Sequence, residues 1–311
     1  MENLANVTNY SIAPTGVLNS SLYDDFFRFI DVKEKSIATY KRALKQFFNY
    51  LQDNFIETPT RETIIAFREE LKATHKPTTV QGYITAIRLF FRWTCLIGKY
   101  PNIADHIKGA KVSHNHKKDY LTANQVKKVF KTINRKTPQG KRNYAILSLM
   151  ITGGLRTIEV SRANIEDVRT LGANTVLYIQ GKGRDEKTEY VKLPFKVEEA
   201  IRDYINSLGA VDIKSPLFSS TSNNNRGERL TTRTISGIVK ECLKKAGFNS
   251  DRLTAHSLRH TTATLNLLEG GTLEETQQLL RHTNINTTMV YLHHIQRENN
   301  QSEERVAKAI F

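Results

Sequence analysis

Several polar side chains interrupt otherwise apolar helical signals. Arg156 lies in TGGLRTIEV with Glu159 three positions on, His256 and Arg259 lie three apart in AHSLRHTTA, and His282 precedes Tyr291 by nine in LRHTNINTTMVYLH. A three-residue spacing puts two side chains on one helix face, so each of the first two pairs can aim both its members at one point. Guanidinium groups and imidazole donors suit a phosphodiester in transfer, whose charge gathers on its equatorial oxygens, and they can stabilise it without a metal. Such chemistry also needs a nucleophile, for which a tyrosyl oxygen serves, and a proton donor for the departing sugar hydroxyl, for which a lysine in a mobile hairpin serves. His256 and His260 share the i, i+4 spacing of some metal sites, but no HExxH, paired cysteines or carboxylate cluster accompany them, so no metal or other cofactor is expected.

These residues must be positioned by helices and one hairpin. Residues 1–17 carry Pro14 and Gly16 with no sustained period and read as a loose tail. From Leu18 to Ile107 the pattern is helical. Leu22, Phe26, Phe29 and Ile30 recur at helical steps, Ser36 is the expected cap of a second helix, Thr60 opens a third, and Pro77 stands at the entrance of a fourth that Gly98 ends. Residues 108–120 have mixed polarity and read as a linker. From residue 121 to 311 the chain is again mainly helical, with Thr122 as a cap. NTVLYIQ and TEYVKL form a hairpin around GKGRDEK, and an amphipathic run closes the chain at Gln301 to Phe311. The expected fold class is mainly α with a small β-sheet, in two domains.

Charge points to the partner. The chain of 311 residues has 46 Lys and Arg against 31 Asp and Glu, a net +15. From Lys111 to Arg142 the only acid is Asp119, while Lys111, Lys117, Lys118, Lys127, Lys128 and Arg142 are among ten basic residues. A local belt of this kind suits a phosphate backbone, where each neutralised phosphate releases counterions. Apolar stretches such as Tyr144 to Ile151 are far shorter than the roughly 20 residues of a bilayer span, so no membrane partner and a cytoplasmic location are expected, nucleoid-associated if the source is bacterial. Cys95 and Cys242 form no CxxC pattern, which leaves no basis for a disulfide framework.

The order and spacing of these residues resemble the tyrosine recombinase family, the phage-integrase and Xer-like site-specific DNA recombinases, over nearly the whole chain. TGGLRTIEV resembles the family's first arginine box, which makes Arg156 catalytic and Glu159 its supporting acid. HSLRHTTAT resembles the His-x-x-Arg box, with His256 and Arg259. LRHTNINTTMVYLH resembles the closing box, with His282 and the nucleophile Tyr291. GKGRDEK resembles the segment bearing the catalytic lysine, carried over to Lys182, with Lys187 as the alternative. One departure is Arg281, where the family commonly has glycine; it implies a differently shaped turn or an added phosphate contact.

The resemblance implies a helical core-binding, SAM-like domain at 18–107, a basic linker and a catalytic domain, together forming a clamp around double-stranded DNA. It also implies a 3′-phosphotyrosyl intermediate, a Holliday junction, and a homotetramer on two DNA sites with the C-terminal tail docking on a neighbouring protomer. The biological task would be integration or excision of a mobile element, or Xer-type resolution. Two alternatives are a type IB topoisomerase-like relaxing activity and a catalytically silent DNA-binding accessory protein.

Overall fold

A computed structural model describes residues 18, 20–111, 119–181, 183–298 and 300–311. The chain divides into two compact units, Met1–Asn115 and His116–Phe311.

The first unit is helical. It contains α1 (Ser20–Phe29), α2 (Glu34–Asp53), α3 (Arg61–Thr74) and α4 (Pro77–Leu96). The start of α3 is set by Thr60, whose hydroxyl accepts the Thr63 N–H while Thr63 returns a bond to the Thr60 backbone. Proline opens α4, where its missing N–H costs nothing, and Gly98 reverses the chain after the helix at φ +66°. The start of α2 differs from expectation. Lys33, not Ser36, holds the N-cap position, and the Ser36 N–H donates to the Lys33 carbonyl inside the first turn. Glu34 supplies that turn with the negative charge that the unpaired N–H groups favour.

Phe26, Phe47, Phe67, Phe90 and Phe91 are almost wholly buried and meet mainly edge to face, with α4 buried around most of its circumference. Phe29, placed by periodicity in this core, is instead 58% exposed at the end of α1, its ring tilted over Trp93.

The second unit surrounds two buried helices, α6 (Pro138–Gly153) and α10 (Ala255–Leu268). The unit begins with α5 (Ala123–Lys131), capped by Thr122 and Gln125. The short α7 (Thr157–Arg162) follows α6 and leads to an antiparallel sheet of β1 (Val168–Leu171), β2 (Asn174–Ile179) and β3 (Glu189–Lys192), in that order. Val168 pairs with Leu177 and Leu177 with Val191, which aligns one apolar row across the sheet. The strand β1 was not expected from sequence, because three of its four residues are exposed and its only signal is the Gly172 turn at φ +59°. The helices α8 (Phe195–Asn206) and α9 (Thr232–Lys245) pack against α6. They are followed by α11 (Leu273–Leu280), α12 (Asn286–Glu298) and α13 (Ser302–Ile310). None of the α13 residues is buried, and Val306, Ile310 and Phe311 are exposed. Among the described residues no helix is long and apolar enough to cross a membrane.

Candidate active site

The first arginine is positioned by a chain reversal. Gly154 ends α6 in the left-handed conformation, φ +58°, and a Cβ there would come within 2.6 Å of the Leu280 side chain. Glycine is therefore required both for the backbone conformation and for the close approach of α11. Two residues later Arg156 enters α7. Its backbone N–H donates to Glu159 Oε2 at 2.8 Å and its Nη1 to Glu159 Oε1 at 2.7 Å. Glu159 is fully buried. Burial raises its pKa, but the neighbouring Arg281 together with the bonds and charge of Arg156 outweighs that, so the carboxyl is held below the ordinary glutamate range.

Arg259 lies on α10, 1% exposed, and donates to the carbonyls of Gly154 and Leu280. It thus ties the turn before Arg156 to the end of α11. Burial first, then the charges of Arg156 and Arg281, draws its pKa down to about 9, which leaves it cationic at neutral pH. His256 precedes it by three residues on the same helix and is exposed.

Arg281 ends α11 at φ +55°, a conformation that favours glycine, so the turn has the shape a glycine would give it. Next to it, the Nδ1 of His282 pairs with the Thr288 hydroxyl at 2.9 Å, and the His282 carbonyl accepts from Gln277 Nε2. Burial, then Arg259, Arg156, Arg281 and His256, pushes the His282 pKa down to about 4, so the ring is neutral at pH 7.

Arg156, His256, Arg259, Arg281 and His282 line one cleft of about 380 Å³, whose rim includes Gly181 and Arg184 from the β2–β3 loop. Tyr291, on α12, is 3% exposed and is not part of that wall. Its ring stacks on His282 with centroids 6.4 Å apart and meets His260 edge-on. Burial raises the phenol pKa, and the charges of Arg259 and Arg156 pull the other way without cancelling it. A cationic cleft with a phenol behind one of its imidazoles can bind a phosphate and hold a tyrosyl oxygen close to it. Among the described residues no group of three His, Cys, Asp or Glu side chains could hold a metal ion.

The lysines differ from one another. Lys182 lies outside the described residues. Lys187 sits outside that cleft, its Nζ 2.5 Å from Oδ2 of the buried Asp167, which also accepts the Asn164 N–H. Of the expected phosphate contacts, Lys111, Lys127 and Lys128 are exposed, while Lys117 and Lys118 lie outside the described residues. Arg142 is 3% exposed, its guanidinium donating to the Ser219 carbonyl, the Thr221 hydroxyl and the Asn143 side chain. It is an internal brace, because the helix phase of α6 turns it inward. Arg281 was marked from sequence only as a departure from the family's glycine, and Arg184 was not singled out; its sole signal was a charge within the Gly-rich hairpin.

Residues 119–298 match the phage integrase family, and residues 24–96 match the phage integrase N-terminal SAM-like domain. Tyrosine recombinase XerC of Thermodesulfovibrio yellowstonii is 29% identical over 269 residues, covering 83% of this chain and 85% of that one. Tyrosine recombinase XerD of Listeria innocua is 28% identical over 291 residues, covering 88% and 94%. The fold is shared with XerH site-specific recombinase bound to a palindromic difH substrate in a post-cleavage complex, with a TM-score of 0.71, 21% identity, and coverage of 87% of this chain and 78% of that one. A lambda integrase tetramer bound to a Holliday junction gives a TM-score of 0.69 at 18% identity, covering 93% and 81%. With the match spanning the whole segment that carries Arg156, His256, Arg259, His282 and Tyr291, the chain belongs to the phage integrase family of tyrosine recombinases, which are DNA strand-transferases.

Proposed function

We infer that this protein recombines double-stranded DNA at a specific site through Tyr291. The observation that carries the reading is one cationic cleft whose lining includes Arg156, Arg259, His256 and His282, with the Tyr291 phenol packed behind His282. The phenolic oxygen attacks the scissile phosphorus, forming a 3′-phosphotyrosyl bond as the bond to the 5′-oxygen breaks. Arg156, Arg259, His256 and His282 stabilise the charge on the pentacoordinate phosphorus. Lys182 gives its proton to the leaving 5′-oxygen and His256 assists removal of the phenolic proton. The engagement of Lys187 with Asp167 supports Lys182 over Lys187 in that role. Attack by a second 5′-hydroxyl reverses the step and restores Tyr291, so the ester bond is conserved and no nucleotide cofactor is consumed.

In this reading residues 18–107 form the core-binding domain, 108–120 the linker and 121–311 the catalytic domain, with Lys111, Lys117, Lys118, Lys127 and Lys128 against the phosphate backbone. Four protomers act on two sites through a Holliday junction. The exposed apolar residues of α13 support docking of the tail on a neighbouring protomer. The test uses duplexes recovered from a random-sequence pool by Tyr291→Phe protein, rebuilt as nicked suicide substrates. Wild type forms covalent adducts on denaturing gels and Tyr291→Phe forms none while still shifting the duplex. Adducts that persist in Tyr291→Phe would remove the assignment, and relaxation of supercoils without site preference would replace recombination by a topoisomerase-like activity.

A further inference from the structure

Arg281 occupies a position where the backbone favours glycine, yet its side chain is 6% exposed and both its Nη atoms bond to the elements that carry the cleft, while its buried Nε has no hydrogen-bond partner. Its Nη1 donates to the carbonyls of Gly153 at 3.2 Å and Leu279 at 2.6 Å. Its Nη2 donates to the Gly154 carbonyl at 3.3 Å and to Glu159 Oε2 at 3.1 Å. Two of these acceptors are shared. The Gly154 carbonyl also receives Arg259, and Glu159 also receives both the backbone and the guanidinium of Arg156.

Those shared acceptors connect three separate segments. The turn that delivers Arg156, the helix that delivers Arg259 and the loop that delivers His282 meet at Arg281, whose planar five-donor fork can serve several acceptors at once. One carboxylate, Glu159, faces two of the three guanidinium groups, so the group keeps an excess of positive charge beside the cleft.

We propose that Arg281 is a positioning residue for strand cleavage, which through the Glu159 carboxylate and the Gly154 carbonyl holds Arg156, Arg259 and His282 in one arrangement before a phosphate arrives. This rests on the reading of the cleft as the phosphoryl-transfer site. A lysine cannot replace it, because a single ammonium cannot span acceptors on α6, α7 and α11 in a fixed plane. Arg281→Gly is the informative change, since it removes the guanidinium while relieving the left-handed backbone.

The experiment compares full-length wild type, Arg281→Gly, Arg281→Lys and Tyr291→Phe on the nicked suicide duplexes described above. Read-outs are the mobility-shift Kd, the single-turnover adduct rate at saturating protein, and the unfolding midpoint. The expected result for Arg281→Gly is a Kd within threefold of wild type and a cleavage rate lowered 10- to 100-fold, with Arg281→Lys failing to restore it. An Arg281→Gly protein that cleaves within twofold of wild type overturns the proposal while leaving the phosphotyrosyl reading intact. A rate restored by Arg281→Lys also overturns it, because charge alone would then suffice. Should Arg281→Gly not fold, the lysine variant decides by the same split between Kd and rate. Absence of adducts in wild type itself overturns the underlying reading and this proposal with it.

Discussion

The ring of His260 stands edge-on to that of Tyr291, with centroids 4.5 Å apart and planes at 88°. The buried phenol is thus seated between His260 and His282 in a small cluster with Ala263 and Leu280. Truncating His260 to Ala removes one wall of that seat and opens a cavity. Urea unfolding of His260→Ala is expected to show a loss of about 1–3 kcal/mol, from the lost packing and the void together. An unchanged midpoint would mean that the contact contributes nothing.

Glu159→Gln leaves Arg281, 6% exposed, and Arg156 without their shared counter-charge. Removing one partner of a buried pair is expected to cost roughly 3–5 kcal/mol in urea unfolding. The same carboxyl imposes a pH dependence. Its folded pKa lies below the ordinary value, so its contribution is present above the unfolded pKa and is lost as pH falls through the folded one. Wild type should lose stability on acidification below about pH 4.3, the ordinary glutamate value, and Glu159→Gln should flatten that limb.

His282 titrates at about 4 in the folded protein, against 6.5 as the ordinary value. The unfolded chain therefore binds a proton here first. The stability held by neutral His282 is full above pH 6.5 and is lost progressively as pH falls towards 4. In histidine-labelled protein one imidazole resonance, missing from His282→Asn, should stay unprotonated at pH 5.5. A resonance that titrates near 6.5 would contradict the burial of this ring.

The two hairpin lysines should separate by chemistry. Lys182→Ala is expected to slow cleavage of ordinary DNA at least 100-fold and to recover on a 5′-bridging phosphorothiolate, whose leaving group needs no proton. Lys187→Ala strands the buried Asp167, so its defect should be a lowered unfolding midpoint with no rescue by the phosphorothiolate. Rescue of Lys187→Ala would exchange the two roles.

Salt dependence distinguishes surface from interior cations. If exposed Lys127 neutralises one phosphate, Lys127→Ala lowers the slope of log Kd against log salt by about 0.9. Arg142→Ala should leave that slope unchanged and instead destabilise the fold, since its donors go to Ser219, Thr221 and Asn143. A reduced slope for Arg142→Ala would place it on the DNA.

Local signals located most helix starts, though not that of α2, where Lys33 rather than Ser36 holds the N-cap position. The caps at Thr60 and Thr122 and the proline entrance of α4 follow from residues within one turn of each other. The β2–β3 hairpin was visible in its β-branched residues, whereas β1 was not, because an edge strand with exposed side chains carries no apolar alternation.

By itself, then, the sequence determined which candidate site residues the protein holds, their order, and most of the helices and the hairpin that carry them, because composition and short-range periodicity are properties of the chain alone. Only the tertiary structure decided which cations face the cleft and which face inward. Arg142 and Lys127 belong to the same basic belt, yet one braces a loop and the other meets solvent, because the surroundings of each depend on segments far away in sequence. The burial of Tyr291 and the junction at Glu159 have the same origin: residues more than a hundred positions apart share one carboxylate, and no local pattern encodes that meeting.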